Sequence, residues 1–235
     1  MKKLALVLLV VDGLAAPAFA GPIQVGYPGS SYGPYQTGAG GEFTLNPLGA
    51  WLDLADYADV AKDVGVLGTF QSFCIEGAEK LGGFDATYDA DINQNAIGGG
   101  VDDPLGDPLS VGTGYLYSQF ASGVLADYNY LGTLAQRRAS ANQLQQAFWW
   151  LEDVDTAYDA NNPFMKAVAD KWQNPGMDGA WVYGVYALNL WVPGTKARAQ
   201  DTLYYNYSVP DGGATLLLLG GAFIGLGALR RKFRG

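Results

Sequence analysis

Each end of this chain carries an uncharged apolar stretch beside a basic cluster, and that bracketing limits what the residues between can be. At the N-terminus Lys2 and Lys3 precede a largely apolar run over residues 4–11, and the segment closes on Ala18-Phe19-Ala20. A charged start, an apolar middle and a small-residue exit make residues 1–20 a secretory signal, cut by signal peptidase after Ala20. Asp12 is the one charge that weakens the run. At the C-terminus Val209-Pro210-Asp211-Gly212-Gly213 breaks any helix, residues 214–229 carry no charge, and Arg230, Arg231, Lys232 and Arg234 follow. That run is shorter than the about 20 residues of a full membrane span. Gly212 and Gly213 can extend it, and Arg230 and Arg231 can reach the headgroups along their alkyl stems. Basic flanks stay on the cytoplasmic side. The sequence therefore predicts a transmembrane helix over 214–229 and roughly 190 residues delivered outside, enough for one domain.

The order of parts at the C-terminus resembles the PEP-CTERM sorting signals of Gram-negative bacteria. Val209-Pro210-Asp211 is nearest the VPDSG-type variant, with Gly212 where that variant has serine. The resemblance covers residues 209–235. It implies recognition by an exosortase, a membrane transpeptidase-like protease, and cleavage near the motif. The chain would then stay in the inner membrane only transiently before reaching the cell surface or the extracellular matrix.

Absences narrow the chemistry. The chain has no histidine, which removes Ser-His-Asp and Cys-His catalysis in their usual form and histidine-ligated zinc. Cys74 is the single cysteine, so there is no internal disulfide and no cysteine-rich metal site. The net charge is −9, and six of the 14 basic residues lie in the terminal signals. The exported part is thus more acidic still, and it repels nucleic acid, which is bound through phosphate neutralisation. Asp85, Asp89, Asp91 and Asn93 alternate as calcium ligands do. Gln94, however, stands where a calcium loop needs glycine, and Gly100 where it needs glutamate; a solvated acidic loop is the better reading. No metal and no cofactor is expected.

Residues 21–41, rich in Gly, Pro, Ser and Tyr from residue 26 on, read as a flexible lead-in, and 42–208 as the exported domain. Strands are predicted at 42–48 and 67–75, with 83–113 a long loop region holding at most one short strand. A helix is predicted at 115–124. A second runs from about 140 to 152, with Ser140 and Gln143 as capping box and Leu144, Ala147, Phe148 and Leu151 as its apolar face. A third follows Asn162, with Pro163 in its first turn. Strands close the domain at 181–192 and 202–207. The expected class is α+β: a β-sandwich or barrel-like sheet with an inserted helical subdomain, plus the C-terminal transmembrane helix.

Cys74 ends a predicted strand in Phe73-Cys74-Ile75-Glu76, and the second predicted helix carries Gln145-Gln146-Ala147-Phe148-Trp149. A lone cysteine of this kind is commonly a small buried thiol. Together, though, the two segments resemble the thioester domains of bacterial surface proteins, which pair a cysteine after an aromatic residue with a helix bearing Gln-x-Ala, an apolar residue and Trp. The resemblance covers roughly residues 67–195, and residues 114–120, Gly-Tyr-Leu-Tyr-Ser-Gln-Phe, look like the family's intervening helix. It implies an internal thioester between Cys74 and Gln145 that a surface amine or hydroxyl, or an exopolysaccharide, could open in adhesion. Helical geometry alone does not choose between Gln145 and Gln146. The alternative is a non-reactive structural or carbohydrate-binding module of the envelope or matrix. For sugar stacking, Trp149, Trp150 and Trp172 read rather as helix-packing residues, and Tyr27, Tyr32 and Tyr35 fall in the lead-in. A hydrolase using paired carboxylates is the third reading, and no acid pair is marked out by its context; the chain is not expected to be an enzyme.

Overall fold

The computed structural model describes residues 21–26, 32–37, 40–62, 68–77, 79–82, 86–97, 106–152, 154, 156–195 and 197–206. The secretory signal, the sorting motif, the 214–229 run and the basic tail lie outside the described residues. Among those that are described, no helix is long and apolar enough to cross a membrane.

In chain order the elements are β1 (Pro22–Val25), β2 (Gln36–Thr37), β3 (Gly40–Gly41), β4 (Phe43–Pro47), α1 (Asp59–Lys62), β5 (Phe70–Ser72), β6 (Thr87–Asn93), β7 (Asn95–Ala96), β8 (Asp107–Pro108), α2 (Val111–Ala121), α3 (Leu134–Leu151), α4 (Pro163–Lys171), β9 (Val185–Trp191) and β10 (Thr202–Tyr205). Six strands form one antiparallel sheet in the order β10-β9-β6-β1-β4-β5. Its two edges approach each other. Ser72 Oγ donates to Leu203 O at 2.6 Å, Leu203 N–H donates to Phe73 O at 3.2 Å, and Ile75 N–H to Asp201 O at 3.1 Å. The sheet is therefore a nearly closed barrel, which satisfies backbone groups that an open edge would leave unpaired. The mixed α+β class and the barrel-like sheet agree with the sequence reading.

Several local expectations change. The lead-in contains β1, which pairs with β4 on one side and β6 on the other. Ile23 and Val25 are fully buried there. Two apolar residues at strand period were enough, and the glycine-rich context hid them. The 83–113 region holds a seven-residue strand, β6, in the middle of the sheet. Its Tyr88 and Ala90 face inward, while Asp89 pairs with Trp191 and Asp91 with Asn189 on β9. Asp89, Asp91 and Asn93 thus lie along a strand and not in a loop; Asp85 and Gly100 are outside the described residues. The predicted strand 181–192 begins as a 3₁₀ turn over Ala180–Tyr183, and Gly184 at φ 69° redirects the chain into β9. That left-handed conformation favours glycine.

The helices pack over the barrel. α2 starts at Ser110, whose side chain accepts from Thr113 N–H, so it begins and ends a few residues earlier than predicted. α3 starts at Thr133 with a capping box to Gln136, about two turns before the predicted start. Ser140 is buried inside the helix and accepts from Asn129. α4 begins as predicted, with Asn162 as N-cap and Pro163 first. Between helices and barrel sits an aromatic cluster: Phe73 contacts Phe120 and Phe148 edge-on at centroid distances of 5.0 and 5.2 Å.

Candidate functional site

The site grows from the seam. Just past β5 the chain bridges the start of β10, with Cys74 opposite Thr202. The barrel closure thus fixes the backbone of Cys74, and Phe73 before it anchors in the aromatic cluster. α3 crosses outside this point. Leu144, Ala147 and Phe148 are fully buried, and their face carries Gln145 inward while Gln146 is left half-buried.

Gln145 meets the main chain of Cys74 at both ends of its amide. Its Oε1 accepts from Cys74 N–H at 3.1 Å, and its Nε2 donates to Cys74 O at 2.7 Å. Gln145 is fully buried and Cys74 is 4% exposed. Of the two adjacent glutamines, Gln145 is the one brought to the cysteine. The β2–β3 hairpin covers the pair from the far side. A Cβ on Gly40 would run into Gln145 Cγ and lie 3.1 Å from the Trp149 ring, so only glycine lets the hairpin backbone come this close. Burial pushes the Cys74 thiol far above its ordinary range, and the nearby charge of Glu76 adds to this.

Cys74 also lines a cavity of about 440 Å³, together with Tyr32, Glu76, Glu79, Trp149 and Gln200. Beside it three carboxylates converge: ligand oxygens of Glu76, Glu79 and Asp201 lie within 4.8 Å of one another. Asp201 is well supplied with donors. Its Oδ2 accepts from Ile97 N–H at 2.6 Å and Asn189 Nδ2 at 2.7 Å, and its Oδ1 from Leu190 N–H at 3.3 Å. Burial nonetheless pushes it up to about 7. Glu76 is 4% exposed, and among the described residues neither of its carboxylate oxygens has a hydrogen-bond partner. Burial, then the charge of Asp201 and the Glu79 carboxyl, push it up to about 9, with Arg198 pulling weakly the other way. Sequence reasoning missed this trio. Glu76 adjoins Cys74, but Asp201 is brought in only by barrel closure, and no spacing rule links them.

The aromatics divide. Trp150 packs on Tyr158, and Trp172 on Tyr115 and Tyr183, whereas Trp149 and Tyr32 line the cavity. Tyr35 lies under the Arg137 guanidinium, 3.8 Å from its ring centroid. Tyr27 is outside the described residues.

Residues 208–233 match the family model of the VPDSG-CTERM motif. The C-terminus is thus a sorting signal of the PEP-CTERM kind. It marks an exported, cell-surface protein processed by an exosortase-type system. No curated protein and no solved structure matches the chain, and none of these comparisons supports the thioester-domain resemblance.

Proposed function

We propose that the exported domain attaches covalently to a surface partner through a thioester formed between Cys74 and Gln145. The reading rests on one observation: the Gln145 amide is held on both sides by the Cys74 main chain, in a buried seam beside a cavity. In the forming step the Cys74 sulfur attacks Gln145 Cδ, the Cδ–Nε2 bond breaks, and the thiol proton leaves with the nitrogen as ammonia. An amide is a poor electrophile, so fixed proximity has to supply much of the barrier, up to about 7–11 kcal/mol for well-oriented groups. Strand closure on one side and a capped helix on the other provide rigid supports. A partner amine or hydroxyl then bonds to Cδ, the S–C bond breaks, and the cysteine thiol is regenerated. The domain acts once, as a reagent and not as a turnover enzyme. The exosortase-processed tail fits delivery of such a reagent to the surface.

One observation favours a second reading. The two hydrogen bonds give each end of the Gln145 amide and both Cys74 peptide groups a partner, which is what a purely structural glutamine would do at a buried seam. The high ionisation point of the thiol points the same way, because the thiolate is the nucleophile. Under this reading the domain is a non-reactive structural or carbohydrate-binding module. Intact mass of the purified full chain separates the two. The thioester gives a mass one ammonia below the sequence mass, abolished by Cys74→Ala, and a small amine then adds at Gln145. A full sequence mass with a thiol that alkylates on unfolding sinks the proposal.

A further inference from the structure

We infer that Glu76, Glu79 and Asp201 hold a calcium ion in the wall of the cavity beside Cys74. The donor set is made only of carboxylate oxygens, the ligands of a hard cation. Two oxygens bound to one calcium at 2.3–2.6 Å can be at most about 5.2 Å apart, and these lie within 4.8 Å of one another. The corresponding limit for magnesium is about 4.2 Å, and its near-ideal octahedron is less forgiving than the variable calcium shell, so calcium is the ion assigned.

The second observation is the state of Glu76. Its side chain is almost wholly buried, and among the described residues neither of its carboxylate oxygens has a hydrogen-bond donor. A buried glutamate oxygen without a donor is expensive. Glu79 Oε2 is buried and unpartnered as well. Among the described residues the ion pairs are Arg137–Glu42 and Lys166–Asp170, so no basic side chain pairs with the trio. Arg198 donates to Ile97 O, and Lys80 lines the cavity without an ion pair to these acids. Asp201 is oriented by three donors, as a ligand carboxylate commonly is. The cavity leaves room for water to complete the coordination. This inference does not depend on the thioester.

The test is a calorimetric and thermal titration of the purified full chain, stripped with a chelator and then given calcium chloride up to ~10 mM, above the ~0.1–1 mM range of extracellular calcium modules. The expected result is one calcium per chain and a Tm that climbs with calcium concentration by mass action. Glu79→Gln should weaken binding roughly tenfold or more, since affinity follows ligand charge. In chelator its Tm should be no lower than that of the wild type, because one of three crowded carboxyl groups is gone. Glu79→Asp, which keeps the charge and shortens the reach, is the second variant if the first fails to fold. Cys74→Ala should keep the wild-type calcium response. Absence of both heat and Tm shift, or a Glu79→Gln chain that responds like the wild type, overturns the site. Preference for magnesium over calcium overturns the assignment of the ion.

Discussion

Two carboxylates, Glu42 and Glu76, are buried at opposite extremes of provision. Glu42 is fully buried beside β4, and Arg137 of α3 grips it with two prongs, Nε to Oε1 at 2.8 Å and Nη2 to Oε2 at 2.7 Å. Tyr128 donates to the same carboxylate. Two further Arg137 N–H groups donate to Val60 O and Tyr130 O. The shifts of the two partners pull apart. Burial raises Glu42 against the pull of Arg137, while Arg137 is raised in spite of its own burial because Glu42 bonds it. The bidentate geometry decides for an ion pair. Glu76, by contrast, has no donor or paired cation among the described residues, only the neighbouring carboxyls of Glu79 and Asp201. Between them stands Glu152, which accepts from the Ser110 and Thr113 hydroxyls and from Ser110 N–H but pairs with no cation among the described residues. Burial pushes it up to about 7, against those three donors. A carboxylate whose every oxygen is spoken for fastens α3 to the barrel; one left open has capacity to bind something else.

The comparison can be broken most sharply at its satisfied end. Arg137→Met leaves Glu42 buried without a cation and should cost about 3–5 kcal/mol, read as a lower midpoint in urea unfolding. Gln145→Leu removes both partners of the Cys74 peptide groups. At about 1–3 kcal/mol for each orphaned group, the loss for the two should be about 2–6 kcal/mol by the same measurement. A much smaller loss would mean that the seam does not need the amide. Glu152 tests the middle case. Its folded-state ionisation lies above the ordinary 4.5, so its contribution is fully present below about pH 4.5 and is lost as pH rises through about 7. Glu152→Gln should therefore flatten the fall in Tm over that window, relative to the wild type measured alongside. The smallest effect belongs to the exposed i,i+4 pair of Lys166 and Asp170. Lys166→Ala should leave thermal unfolding unchanged within error, because exposed ion pairs are screened.

These residues also show how far the sequence could be read. β4, β9 and β10 were legible because branched and aromatic residues mark them, and α4 because Asn162-Pro163 announces its start. The first turns of α3 were not, because Arg137 occupies an inward position where the helix pattern calls for an apolar residue; with that face disguised, Ser140 looked like a cap. β6 was obscured by Asp89 and Asp91, although Tyr88, Ala90 and Ile92 alternate with them at strand period. Cys74 and Gln145 could be singled out from their local motifs. The acidic trio could not, since Glu76 and Asp201 meet only across a closure that joins distant parts of the chain.

That closure has a mechanical consequence. The chain leaves the barrel from Tyr205 towards its sorting tail, so β10 is the strand that takes up any tension while the tail is held. β10 is braced by β9 on one side and by the few seam bonds at Ser72, Phe73 and Ile75 on the other. Cys74 sits among those bonds. A covalent link from Cys74 to α3 would tie the weaker margin of β10 to the longest helix among the described residues, so that a pull on the tail is shared with the body of the domain before the seam can unzip.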